Sequence, residues 1–166
     1  MYELMQVGER TYYIECPAKI GIFLLNETEV CLIDSGNDKD TAKKVLKILD
    51  EKGWKLNSII NTHSHADHIG GNQLLQQRTG CQIYAPDFEE AFIQNTIFEP
   101  SFLYGGYAPK DLRNKLLYAQ PSKINNITTF NITKDLEFIS LPGHSFQMIG
   151  IRTCDDVIFL ADSISS

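Results

Sequence analysis

Three of the chain's four histidines fall within six consecutive residues, in the stretch Asn61-Thr62-His63-Ser64-His65-Ala66-Asp67-His68. The run before it, 56–60, is apolar and strand-like. Gly70-Gly71-Asn72 after it opens a helical pattern that stops near Gly80. A polar cluster so placed is a strand-to-helix loop, and a buried strand of that kind requires helices covering a sheet. No apolar alternation runs through the cluster to bury its rings in a core, and a carboxylate stands among them, so the residues read as ligands. Imidazole nitrogen suits borderline metals such as zinc. Alternate residues of an extended loop, His63 and His65, can converge on one ion, which leaves Asp67 and His68, at the turn into the helix, for a second. The competing reading, a polar loop that merely caps a helix at Gly70, does not call for this density of donors. His144 stands alone on the tight turn Leu141-Pro142-Gly143-His144-Ser145. By itself it would be a hydrogen-bonded turn residue, and only partnership with the cluster makes it a ligand.

Around the cluster the pattern alternates. Strand-like runs at 12–15, 21–25 and 30–33 predict an antiparallel meander, and Ala42, Val45, Leu46 and Leu49 recur at helical spacing before Gly53. A strand over 81–85 and a helix from Pro86 through Ile97 follow. Residues 98–121 are aromatic and rich in Gly and Pro. They read as an irregular excursion that either faces a substrate or forms a satellite aromatic cluster, and the sequence leaves both open. The last third returns to strands at 127–132, 136–141, 148–152 and 157–160. No repeat or linker interrupts the chain, so 1–166 is expected to form one α/β (α+β) domain.

Charge and composition exclude several classes. Against 21 acidic residues stand 15 basic ones, a net charge of −6, with no basic stripe for nucleic acid. No apolar run approaches the roughly 20 residues of a membrane span, and the first residues lack the pattern of an export signal. The cysteines, Cys16, Cys31, Cys81 and Cys154, lie far apart without CxxC spacing and read as reduced thiols. A cytoplasmic protein acting on a small molecule is the expectation.

The stretch from Asn61 to Gly71 resembles the HxHxDH signature of the metallo-β-lactamase superfamily. Leu32-Ile33-Asp34-Ser35-Gly36, Pro142-Gly143-His144-Ser145 and Leu160-Ala161-Asp162-Ser163 resemble, in order, the family's preceding strand and turn, its third ligand motif and its bridging-carboxylate strand. The resemblance implies an αββα sandwich of mixed, largely antiparallel sheets with outer helices. It implies that His63, His65 and His144 hold one metal, that Asp67 and His68 contribute to a second, and that Asp162 bridges both. Two Zn2+ ions are implied, with iron or manganese as alternatives. A water between them would be the nucleophile, oriented or deprotonated by Asp67, for an ester, thioester, lactone, amide or phosphodiester. Asp162 argues against a true β-lactamase and for the glyoxalase II-like or lactonase-like branch. A second reading is a persulfide dioxygenase-like enzyme with one iron on His63, His144 and Asp162. A third is a non-catalytic metal-binding fragment. In the family a further histidine beyond the bridging aspartate completes the second site, and none follows Asp162 in the four remaining residues. The second half of the sandwich is therefore expected to be incomplete, as in a truncated family domain. Its second metal site is then weakened, and the 157–160 strand lies at an edge that invites a homodimer.

Overall fold

The computed structural model describes residues 2–113 and 117–164. Strands β1 (Glu3–Gln6), β2 (Thr11–Glu15), β3 (Ile20–Leu24) and β4 (Glu29–Ile33) form an antiparallel meander. Helix α1 (Lys39–Lys52) then crosses to β5 (Lys55–Ile60), which pairs parallel to β4. The one-turn helix α2 (Ala66–Ile69) and α3 (Asn72–Thr79) lead to β6 (Gln82–Ala85), again parallel. After α4 (Asp87–Gln94) and α5 (Phe98–Tyr104), the short β7 (Asn125–Asn126) closes a seven-stranded sheet in the order β1-β2-β3-β4-β5-β6-β7. A second, antiparallel sheet holds β8 (Leu136–Ser140), β9 (Ile149–Thr153) and β10 (Ile158–Phe159), with β9 in the middle.

The alternation within each strand explains the layers. In β4, Val30 and Leu32 face one way and Cys31 and Ile33 the other, and all four are buried. Val30 and Leu32 join Ile20, Ile22, Leu56 and Ile59 against Ala42, Val45 and Leu49 of α1, Leu75 of α3 and Ile93 of α4. Cys31 and Ile33 join Phe23 and Ile60 against Leu136, Ile149 and Ile151 of the second sheet. A strand covered on both faces reads as a continuous apolar run because neither side meets water. Each such aliphatic side chain contributes about 1.5–3 kcal/mol of burial. The described residues thus form helices, large sheet and small sheet in three packed layers.

Three expectations differ from the structure. Residues 98–104 are helix α5, not irregular chain. Pro100 sits in the first turn, where amide hydrogens have no intrahelical partner to lose, and Gly105 ends the helix in the left-handed region at φ 71°. Helix α4 stops at Gln94 instead of running to Ile97. The strand predicted over 127–132 is absent: Asn126 caps a 3-10 turn over Ile127–Thr129 by accepting from the Thr128 amide at 2.9 Å, which withdraws that backbone from sheet pairing. Strand β1 was not anticipated. Of the aromatic segment at 98–121, residues 114–116 lie outside the described residues.

Candidate metal centre and adjoining cleft

The parallel pairing of β4 with β5 sets Ile33 opposite Ile60, so both strands release their chains at the same end of the sheet. Crevices at the carboxyl ends of parallel strands are where such sheets place ligands. The β4 end turns through Asp34, at φ 62°. The β5 end continues through Asn61 and Thr62 into the histidine loop. The two are tied together: the Asp34 amide donates to the Ile60 carbonyl at 2.9 Å and the Ser35 amide to the His68 carbonyl at 2.8 Å. Gly70 and Gly71 allow this docking. A Cβ on Gly70 would collide with the Asn37 carbonyl, and one on Gly71 with the Ser35 carbonyl.

Asp34 organises the rings. Its Oδ1 accepts from the Thr62 amide at 2.8 Å; its Oδ2 accepts from Thr62 Oγ1 at 2.7 Å and from His68 Nδ1 at 2.8 Å. A hydroxyl has one proton. Because Thr62 Oγ1 gives its proton to Asp34, it accepts from His63 Nδ1, 3.0 Å away. Both His63 and His68 therefore carry their Nδ1 protons toward this network, which turns Nε2 of each toward the centre. His63 Nε2 is buried without any partner.

The structure brings the predicted ligands together in two compact groups that share His63. One is His63, His65 and His144; the other is His63, His68 and Asp162; within each group the ligand atoms lie within 4.8 Å of one another. His144 Nε2 lies 2.9 Å from His65 Nδ1 and 3.3 Å from Asp162 Oδ2, and His68 Nε2 lies 3.4 Å from Asp162 Oδ1. Asp67 belongs to neither group but stands beside the second, its Oδ2 3.8 Å from His68 Nε2. Burial, then the charge of His68, presses the His63 imidazole down to about 3, so it is neutral and available as a donor. Burial and the His144 charge lower His65 likewise. Burial alone would depress His68 too, but the Asp34 carboxylate and hydrogen bonds with Asp162 and Asp34 hold it up, at about 10. Its hydrogen bond in turn lowers Asp162 to about 2. The orphaned buried His63 Nε2 and a donor set of imidazoles and carboxylates fit a borderline divalent ion.

Sequence reasoning missed two acids. Glu89 of α4, 1% exposed, accepts from the Ser64 amide at 3.0 Å, Ser145 Oγ at 2.8 Å and the Gln147 amide at 2.9 Å. It clamps the His65 loop to the β8–β9 turn and so brings His144, 79 positions from His65, into the cluster. Glu99 of α5 is buried at the wall of a cleft of about 460 Å3 that adjoins His65 and His144. Burial, then the Asp67 carboxylate, pushes the Glu99 carboxyl up to about 8. Phe102 and Leu103 line the same cleft as His65 and His144, so this part of the aromatic segment faces the histidine cluster.

A sequence profile of the metallo-beta-lactamase superfamily matches residues 20–159. The chain is similar to a hydroxyacylglutathione hydrolase of Bradyrhizobium sp., 27% identical over 130 residues, which are 78% of this chain and 42% of that protein. It is 48% identical over 46 residues to the hydroxyacylglutathione hydrolase of Methylococcus capsulatus, 28% of this chain and 18% of that one. The chain thus matches less than half the length of either relative. Among solved structures, BJP-1, a subclass B3 metallo-β-lactamase of Bradyrhizobium japonicum, superposes with a TM-score of 0.73 at 18% identity. That superposition covers 92% of this chain and 56% of that one, a likeness of fold alone. Among the described residues, no helix is long and apolar enough to cross a membrane.

Proposed function

Because the chain belongs to the metallo-β-lactamase superfamily, we propose that it is a hydrolase that cleaves an ester, thioester or lactone at a dinuclear zinc site. The observation that carries this reading is the pair of ligand groups meeting at His63. His63, His65 and His144 would hold one ion; Asp67 and His68 would hold the other, with Asp162 between them. When bound, two divalent ions would lower the pKa of a water molecule and polarise the scissile carbonyl. The chain's own residues do the rest. Asp34 and Thr62 fix the tautomers of His63 and His68, Glu89 holds the two loops in register, and Asp67, the one acid of the histidine loop, would accept a proton from the attacking water. A thioester is favoured within this class by the hydroxyacylglutathione hydrolases among the relatives.

The buried thiols of Cys16, Cys31 and Cys81 fit a cytoplasmic setting. Association of two copies through β10, at an edge of the small sheet, belongs to the same proposal and is checked by sedimentation at several concentrations. For the activity itself, the chelator-stripped protein is reconstituted with zinc, manganese or iron and assayed on esters, thioesters and lactones. Hydrolysis that returns with zinc supports the reading. Oxygen consumption with a glutathione persulfide on iron alone would replace it with a mononuclear oxygenase on His63, His144 and Asp162. Metal uptake without turnover on any substrate would replace it with a non-catalytic metal-binding module.

A further inference from the structure

The ligand cluster lies between two unlike clefts. One is lined by Asp67, His68 and Asp162 and has Lys19 on its wall. The other begins at His65 and His144 and is walled by Phe92, Phe102, Leu103 and Phe146, with Glu99 beside them. The rings of that second cleft pack on one another, Phe102 on Phe146 with centroids 5.2 Å apart and Phe92 on Phe146 at 6.0 Å, while Phe102 stays 63% exposed. Among the described residues, no lysine or arginine lines it. At about 460 Å3 it falls in the size range of pockets that enclose small molecules.

We propose that this cleft binds an apolar, uncharged limb of the substrate, an acyl chain or aryl group next to the scissile bond, and rejects a limb that carries a carboxylate. The inference rests on the ester or thioester hydrolysis proposed above. Three features carry it. The cleft opens directly onto two metal ligands, so a group lodged in it sits beside the reacting carbonyl. Its aromatic walls favour apolar contact, and a large exposed apolar surface of this kind marks a binding site. A carboxylate at the far end of the limb, among the phenylalanine rings, would give up its water for apolar contacts with no lysine or arginine among the described residues that line the cleft, a desolvation these walls do not repay.

The test uses thioesters of one neutral thiol, N-acetylcysteamine, on the zinc-loaded protein, with the acyl chain lengthened from acetyl to octanoyl. The kcat/KM rises about fourfold per added methylene until the cleft is full. A terminal carboxylate at equal length returns it to the acetyl level or below. A flat series, or a preference for the carboxylate, overturns the inference while leaving the hydrolase reading intact. A readout independent of turnover is the fluorescence of the neutral dye N-phenyl-1-naphthylamine bound to the metal-free protein. The exposed substitution Leu103→Lys weakens its binding about tenfold, whereas Val7→Lys, on the remote β1–β2 turn, leaves it unchanged. Dye binding with this pattern but no thioester hydrolysis upholds the cleft and rejects the reaction. Dye binding insensitive to Leu103→Lys rejects the cleft.

Discussion

Replacing Asp34 by Asn isolates the tautomer argument. All the partners of the Asp34 carboxylate donate to it: the Thr62 amide, the Thr62 hydroxyl and His68 Nδ1. An asparagine has one oxygen and one NH2. Whichever way the amide turns, N–H meets N–H, at the Thr62 amide or at His68 Nδ1. Facing the NH2 group, the neutral form of His68 that a metal needs carries its proton on Nε2, and its ligand lone pair is lost. Asn tolerates the left-handed backbone at position 34, so the turn itself survives. One lost charge-assisted hydrogen bond in a buried site amounts to about 2 kcal/mol, or about thirtyfold in zinc affinity where His68 binds. Zinc competition against a chromophoric chelator measures this, with near-UV circular dichroism as the control for folding. Thr62→Val, which removes the hydroxyl that links Asp34 to His63 but leaves the hydrogen bond between Asp34 and His68, lowers affinity about tenfold, and Thr62→Ser restores it. An Asp34→Asn protein that folds normally and binds zinc within threefold of the wild type would refute the reasoning.

Glu89→Ala leaves the Ser64 and Gln147 amides and the Ser145 hydroxyl without their acceptor. It costs about 3 kcal/mol in urea unfolding and uncouples His144 from His65, so zinc affinity falls with stability. Gly70→Ala forces the new methyl group against the Asn37 carbonyl and destabilises by about 1–3 kcal/mol without removing a ligand, as thermal unfolding of the metal-free protein would record. Glu99 gives a pH signature. Its folded carboxyl is raised from 4.5 to about 8, so the folded state keeps a proton that the unfolded chain has released; stability is complete below the unfolded pKa and is lost as pH rises toward 8. Glu99→Gln, with no such proton to lose, matches the metal-free wild type near pH 4. It exceeds it near pH 8 by an amount on the order of a few kcal/mol, from about 1.4 kcal/mol per pKa unit; equal melting profiles at both pH values would contradict this.

The candidate ligands were legible because a metal site would leave a local mark: three imidazoles and a carboxylate in one loop have no purpose in packing. His144 and Asp162 were legible only through motif order. The two acids left no mark. Glu89 sits in an amphipathic helix where an acid reads as solvated surface, and its partners lie about 25 and 56 positions away, joined by a fold that local pattern does not encode. The role of Asp34 depends on the parallel register that sets Ile33 beside Ile60. The strands of the meander and the helix ending at Gly53 followed from periodicity. The 98–104 helix did not, because Pro100 and Gly105 look like loop punctuation unless the proline is placed in a first turn and the glycine at a cap. The apparent strand at 127–132 has strand-like composition but yields to the Asn126 cap.

Metal content of the purified chain, by elemental analysis after dialysis against metal-free buffer, tests the central claim most directly. The account predicts at least about one zinc per chain in the wild type, held by a site of three imidazoles, and near-complete loss in His63→Ala, whose ring both ligand groups share. A wild-type chain that retains no more metal than His63→Ala would contradict it.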